Sequence, residues 1–190
     1  MIEKWIEKRL IDDIGYKRYI HSVGVMETSV KLSKIYNCNM DKARMAGLLH
    51  DCGKLQDKKN YLKMIDDFDI ILDNVMEHNI DLIHGPLGAK IAEKVYDVHD
   101  KEILSAIYYH TTGKENMSLL EKIVYIADYI EPNRDFEGVE RVRELAFVDL
   151  NESLIQSMDN TIKYIVDKKI LIHLDTIKAR NYLILEKDSE

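Results

Sequence analysis

The chain has 190 residues, 46% hydrophobic and 32% charged, which is ordinary soluble globular material at single-domain length and excludes wholesale disorder and a fibre. Its 27 Lys and Arg against 34 Asp and Glu leave a formal charge of −7, so it lacks the basic field of a general nucleic-acid binder, and a polyanionic substrate must be met by a few local cations or by metal. No apolar run reaches the ~20 residues of a membrane span, the first ten residues hold no signal-peptide core, and Cys38 and Cys52 form no CxxC pair. These features predict no membrane association and a reducing, cytoplasmic home.

With only 2 Pro and 8 Gly, long helices are favoured, and helical periodicity recurs while strand-like alternation is weak. Ile2, Trp5, Ile6 and Leu10 form a first stripe, with Trp5 as its core anchor. A second helix is expected over 17–36, ending in Asn37-Cys38-Asn39. Asp41 would cap a third, whose small face Ala43, Ala46, Gly47 and His50 allows close approach by a neighbour, and Gly53 would end it as a C-terminal glycine. The stretch 56–83 is least regular, with a short helix near 61–66 and a loop beyond. Pro86 suits the first turn of a new helix with Gly88, Ile91, Ala92 and Val95 on its face. The next carries Ile103, Ala106, Ile107 and His110 and stops before Gly113. Ser118 and Glu121 make a capping box for a helix ending near Pro132. Leu154, Met158, Ile162 and Ile165 mark a later helix, and a last one is expected over 176–185. The prediction is an all-α bundle of roughly seven to nine helices, one domain over 1–185, with a polar, frayed tail at 186–190.

The chemistry centres on Leu49-His50-Asp51-Cys52-Gly53-Lys54. Adjacent helical residues point about 100° apart, so both members of a His-Asp pair reach one cation only at a helix end, where the chain turns. His supplies a neutral nitrogen; Asp supplies charge and a second oxygen that can bridge. His21 lies on a helix upstream, and Asp128 follows the apolar run of a helix far downstream, where an unpaired carboxylate would be costly. Two nitrogens and two carboxylates suit iron, manganese, cobalt or zinc. His84 stands beside an expected helix N-terminus, which favours phosphate, and His110 at a helix end. Those two would hold a second metal with Asp51 bridging, or bind substrate phosphate; the residues leave both open.

The order His, His-Asp, distant Asp resembles the HD phosphohydrolase superfamily. The segments Arg18-Tyr19-Ile20-His21, Gly47-Leu48-Leu49-His50-Asp51-Cys52-Gly53-Lys54, His84-Gly85-Pro86-Leu87-Gly88-Ala89, His110-Thr111-Thr112-Gly113, Ala127-Asp128-Tyr129-Ile130-Glu131-Pro132-Asn133-Arg134 and Thr176-Ile177-Lys178-Ala179-Arg180 further resemble the YqeK family over nearly the whole length. The resemblance implies an HD-domain fold and symmetrical cleavage of diadenosine tetraphosphate into two ADP, with iron as the metal. It implies His21, His50, Asp51 and Asp128 as metal ligands, and Arg18, Lys54, His84, His110 and Arg134 as facing the nucleotide. The chain departs from the family where Leu174 follows His173 in place of a common Pro.

Phosphoanhydride cleavage needs an attacking oxygen, charge neutralisation and in-line geometry. The expected route is attack of a metal-bound hydroxide on a central phosphorus, with ADP expelled. Asp51 would orient the water, and Lys54, one turn past His50, would meet a phosphate oxygen. Arg18 shares the helical face of His21, and Arg134 follows the helix break, pointing outward. Thr111, Asp128, Thr176 and Arg180 complete the expected substrate contacts, the last pair closing over the nucleotide from the final helix. Arg141 has Glu137, Glu140 and Glu144 for ordinary helix pairs, Cys52 reads as small packing, and His78 and His99 as exposed. The partners expected are a dinucleoside polyphosphate, a nucleoside diphosphate product and a second copy of the chain. The rivals are another HD nucleotidase or phosphodiesterase, a di-iron oxygenase, and a nucleotide sensor without turnover.

Overall fold

The computed structural model describes residues 3–56 and 61–187, and among these it holds eleven α-helices, one 3-10 turn and no strand. Ile2, in the first predicted stripe, lies outside them. No described helix is long and apolar enough to cross a membrane.

Helix α1 (Lys4–Ile14) buries Ile6, Leu10 and Ile14. Trp5 is not its anchor: the ring is 47% exposed, stacks on Tyr96 with centroids 6.1 Å apart and donates from Nε1 to Glu3. Gly15, at φ 84° and ψ 154°, makes the corner into α2 (Tyr16–Ile35), a conformation an L side chain rarely adopts. Helix α3 (Met40–Leu49) lies close along α2. A Cβ on Gly47 would come within 2.9 Å of the Met26 Cα, which is the close approach expected of this small-residue face.

The cap of α3 is Asn39, whose side chain accepts from the amides of Asp41 and Lys42; Asp41 sits in the first turn instead. The amide oxygen two residues earlier reaches both free N–H groups, which Asp41 within the turn cannot. Gly53 also serves differently from a left-handed cap, since its φ is not positive. Its missing Cβ lets the turn after α3 press against the His84 carbonyl and the backbone of Gly88.

Beyond the short α4 (Tyr61–Asp67), the expected loop contains α5 (Asn74–His78), capped by Asp73, and the 3-10 turn Ile80–Leu82. Helix α6 (His84–Lys94) begins two residues before Pro86, which still falls in the first turn where its lack of an N–H costs nothing. Helix α7 (Lys101–Tyr109) is capped by Asp100, and α8 (Leu119–Ile130) by the expected Ser118–Glu121 box. Gly138, at φ 88°, leads into α9 (Val139–Ala146), which sequence periodicity had not separated, and α10 (Leu150–Asp167) follows.

Helix α11 (Leu174–Lys187) runs past the predicted end at 185. Glu186 and Lys187 are anchored rather than frayed: Lys122 and Asn151 donate to Glu186, and Lys187 to Glu152. Residues 188–190 of the expected tail lie outside the described residues. At its other end, buried His173 donates from Nε2 to Asp73 at 2.6 Å, tying α11 to α5.

Two apolar clusters result. One gathers Leu10, Leu49, Ile83, Leu87 and Ile107, and the other Val25, Ile126, Ala127, Leu154 and Leu183. Helices α2, α3, α7 and α8 meet at their seam, so polar side chains aimed inward there are withdrawn from water and must find one another.

Candidate metal centre

The seam collects six such side chains. His21 projects from α2, His50 and Asp51 from the end of α3, His84 from the start of α6, His110 from the end of α7 and Asp128 from the last turn of α8. His50, Asp51, His84 and His110 are each at most 3% exposed.

Each of the four imidazoles has an oxygen on its Nδ1. For His50 it is the Gly47 carbonyl at 2.8 Å, for His110 the Ile107 carbonyl at 2.7 Å, for His84 the Asp81 carbonyl, and for His21 the Glu131 carboxylate at 3.1 Å. A carbonyl can only accept, so His50, His84 and His110 carry their hydrogen on Nδ1 and leave a bare lone pair on Nε2, whereas His21 has a carboxylate against each nitrogen, Glu131 on Nδ1 and Asp128 2.9 Å from Nε2. The Nε2 atoms face each other in pairs, His21 to His50 at 3.3 Å and His84 to His110 at 2.8 Å, and in the second pair both are bare. Two acceptors cannot bond one another, and buried ones repel; a cation between them removes the conflict. The Thr111 hydroxyl lies 3.0 and 3.1 Å from the second pair, but its one proton serves only one nitrogen.

Asp51 spans the two pairs. Its Oδ2 faces His50 and His21 at 3.6 and 3.8 Å and accepts from Arg18 at 2.6 Å. Its Oδ1 faces His84 at 3.3 Å, Lys54 at 3.4 Å and His110 at 3.6 Å, yet it is fully buried with no hydrogen-bond partner. A buried carboxylate oxygen without a partner is costly. Asp128 closes the first pair, with Oδ1 2.9 Å from His21, 3.7 Å from His50 and 2.6 Å from Arg134. Three overlapping sets of donor atoms therefore lie within 4.8 Å of one another: His21, His50 and Asp51; His50, His110 and Asp128; Asp51, His84 and His110. Four imidazole nitrogens and two carboxylates fit a borderline divalent ion, and Asp51 is common to the first and last sets.

Protonation favours the same chemistry. Burial lowers His50 to about 4 and, with the neighbouring His110 and Lys54, lowers His84 well below its ordinary value. Burial would raise the Asp51 carboxyl, but His50, His110, Lys54 and His84 outweigh it and hold it well below the usual carboxylate range. Asp128 is likewise held low, the hydrogen bond from His21 and the charge of Arg134 overcoming burial. Near neutral pH, protons do not compete for the buried histidines His50 and His84 or for either acid.

Some expectations change. His84 stands inside the first turn of α6, behind a 3-10 turn, so it does not sit free before a helix N-terminus. Arg134 folds back instead of pointing outward, donating from Nε to the Asp128 carbonyl at 2.8 Å and from its terminal nitrogen to the Asp128 carboxylate. Among the described residues, neither Thr176 nor Arg180 is hydrogen-bonded to a member of the cluster. Thr176 is 4% exposed in the first turn of α11, and Arg180 pairs with Asp159 of α10 at 2.6 Å. Cys52 donates to the Gly88 carbonyl and is buried, consistent with packing, while His78 and His99 are exposed.

Glu131, Asn133 and Arg143 escaped sequence reasoning. Glu131 is 1% exposed and holds His21, and Asn133 donates to Glu131 from both its amide and its side chain. Arg143, not Arg141, has the structural role on α9, donating to the carbonyls of Ile130, Glu131 and Arg134. The signal for Glu131 was its place in Glu131-Pro132-Asn133-Arg134; Arg143 binds only main chain there and leaves no sequence signal.

Clefts flank the cluster. One, of about 940 Å³, is lined by Tyr16, Arg18, His21, Lys54, Asn133 and Arg134 among others. A neighbour of about 460 Å³ touches Arg18, Lys54 and His84. Another of about 210 Å³ is lined by His110, Thr111, Asp128, Tyr129, Arg134 and Phe136 among others.

Residues 18–133 match the HD domain model, the span that runs from Arg18 through both acids to the loop after α8. The chain belongs to the HD-domain family. It is 42% identical over 170 residues, 90% of each chain, to a symmetrical bis(5′-nucleosyl)-tetraphosphatase of Halalkalibacterium halodurans. It is 42% identical over 167 residues to the protein of that name from Bacillus subtilis, covering 88% of this chain and 89% of the relative. Relatives of this kind bear out the YqeK resemblance. A Clostridium acetobutylicum crystal structure, described as a predicted HD superfamily hydrolase involved in NAD metabolism, is 47% identical; it superposes with a TM-score of 0.93 over 98% of both chains.

Proposed function

We propose that this protein is a metal-dependent symmetrical hydrolase of diadenosine tetraphosphate, adding water at a central phosphorus and releasing two ADP. The observation that carries the reading is the confrontation of the bare His84 and His110 nitrogens beside the unpartnered Asp51 Oδ1, with His21, His50 and Asp128 gathered on the other oxygen's side, in a chain 42% identical to symmetrical tetraphosphatases.

His21, His50, Asp51 and Asp128 would hold a divalent metal, and His84 with His110 would share Asp51 at a second position. The donor set fits iron, manganese, cobalt or zinc, and the family resemblance favours iron among them. When bound, such an ion supplies acidified water and withdraws charge from a phosphoryl oxygen. Arg18, Lys54 and Arg134 answer the rest of the substrate's charge. Their side chains are 39%, 33% and 38% exposed, so each reaches from an acid of the cluster into a cleft. Arg134 borders two of these clefts, which supports seating one nucleoside half in each. The Thr111 hydroxyl offers a neutral donor to the same chain of phosphates. The arginine and lysine rim also favours phosphate chemistry over an oxygenase. The free thiols Cys38 and Cys52 support a cytoplasmic setting.

Lys54→Ala is expected to lower kcat/KM by about 10²-fold, the scale of losing one charge-stabilising donor, with bound metal unchanged, because Lys54 is a cation and cannot ligate. Metal analysis beside steady-state rates checks this; full activity in the variant contradicts the role of Lys54. A panel of nucleotides tests the substrate. Metal-loaded protein should turn over diadenosine tetraphosphate ahead of mononucleotides and cyclic dinucleotides, and preference for either of the latter would reassign the activity within the family.

A further inference from the structure

His21 differs from the other three histidines in how its Nδ1 is satisfied. His50 and His110 follow the last turns of α3 and α7, where the carbonyls of Gly47 and Ile107 have no helical partner and are free to accept. His84 uses a carbonyl of the 3-10 turn just before it. His21 lies well inside α2, whose carbonyls are committed to the helix. It must take its acceptor from elsewhere in the chain, and that acceptor is the carboxylate of Glu131, 110 residues away in sequence.

We propose that Glu131 is a positioning residue that fixes His21 as a metal donor through Nε2; the proposal rests on the metal-dependent reading above. Three observations support it. Glu131 is buried with both oxygens committed, Oε1 to His21 and Oε2 to the amide and side chain of Asn133 at 2.8 and 2.9 Å. Gly24, one turn along α2 from His21, leaves the space that Oε2 fills: a Cβ there would stand 2.5 Å from that oxygen. The loop is pinned by Arg143, which reaches the carbonyls of Ile130, Glu131 and Arg134. A carboxylate on the outer nitrogen fixes tautomer and ring orientation and raises the basicity of the inner nitrogen, beyond what the carbonyls give the other three.

Glu131→Gln keeps the volume and breaks the arrangement. If the amide oxygen faces His21, the NH2 meets two donors of Asn133; if the oxygen faces Asn133, the NH2 meets Nδ1 and drives the proton onto Nε2. Gly24→Ala is a second, independent variant that displaces Oε2 without changing any titratable group. The test is chelator competition on cobalt-loaded protein without nucleotide, together with the visible cobalt spectrum and thermal unfolding. Both variants are expected to bind cobalt about 10- to 100-fold more weakly, with an altered spectrum. Wild-type affinity and spectrum in Glu131→Gln, whatever its melting temperature, would overturn the proposal and leave Glu131 a packing residue. If the wild-type protein itself holds no cobalt against the chelator, the metal-dependent reading fails first.

Discussion

Asp51→Asn is expected to abolish hydrolysis, lowering kcat/KM by roughly 10³-fold or more, about 4 kcal/mol of transition-state stabilisation, and to release metal at the same time. The reason is that Asp51 turns a separate oxygen to each histidine pair. Its Oδ2 accepts from Arg18 and faces His21 and His50; its Oδ1 faces His84, His110 and Lys54. An amide keeps the shape but replaces one oxygen with a donor. Facing Arg18, that donor opposes a guanidinium; facing the other side, it opposes an ammonium. It also removes the negative charge that the surrounding cations and any bound ion require. Steady-state rates with metal analysis of the same preparation check the prediction, and an active Asp51→Asn protein with its full metal content would be incompatible with it.

Gly53→Ala is expected to be the most damaging change outside the ligands, costing about 3 kcal/mol, the upper part of the overpacking range. A methyl group there would run into the His84 carbonyl and stand 2.7 Å from the Gly88 nitrogen, both backbone atoms that no rotamer change can move. Relief requires the turn after α3 to part from α6. That separation would pull His50 and Asp51 away from His84, so loss of metal should accompany loss of stability. A melting temperature roughly 6–12 °C lower, on the usual scale of about 2–4 °C per kcal/mol for a chain of this size, is the result to look for in a thermal scan. A variant as stable as the parent would show that the two segments are not in this contact.

Much of the fold was legible because its helices are amphipathic and its breakers few. Ser118 and Glu121 announced α8, and the small face of α3 announced its close approach to α2. What failed was chemistry shared between local and distant partners. Asn39 displaced Asp41 as a cap because caps depend on reach, and two residues apart in sequence both types can serve. Trp5 read as core by type and lies against Tyr96 at the surface, since its stripe is filled by Ile6, Leu10 and Ile14. Helices α5 and α9 are too short for periodicity to isolate.

The cluster was readable in outline because its six side chains are metal-ligating types, five of them at helix ends or after an apolar run, with His21 inside α2 the exception. Their arrangement in pairs about Asp51 was not, since it depends on how α2, α3, α6, α7 and α8 converge. Arg134 illustrates the limit: the helix break after Pro132 suggested an outward side chain, but the guanidinium returns to Asp128 because the acid is nearby and only partly neutralised. Thr176 and Arg180 drew attention through family likeness alone; Thr176 is buried in the first turn of α11, and Arg180 pairs with Asp159.

The most direct measurement is product analysis after metal-loaded protein is incubated with diadenosine tetraphosphate in water enriched in heavy oxygen. ADP as the sole nucleotide product, with a single heavy oxygen carried by one ADP of each pair, is the predicted result. AMP together with ATP would place the cut at an outer phosphate and contradict symmetrical hydrolysis.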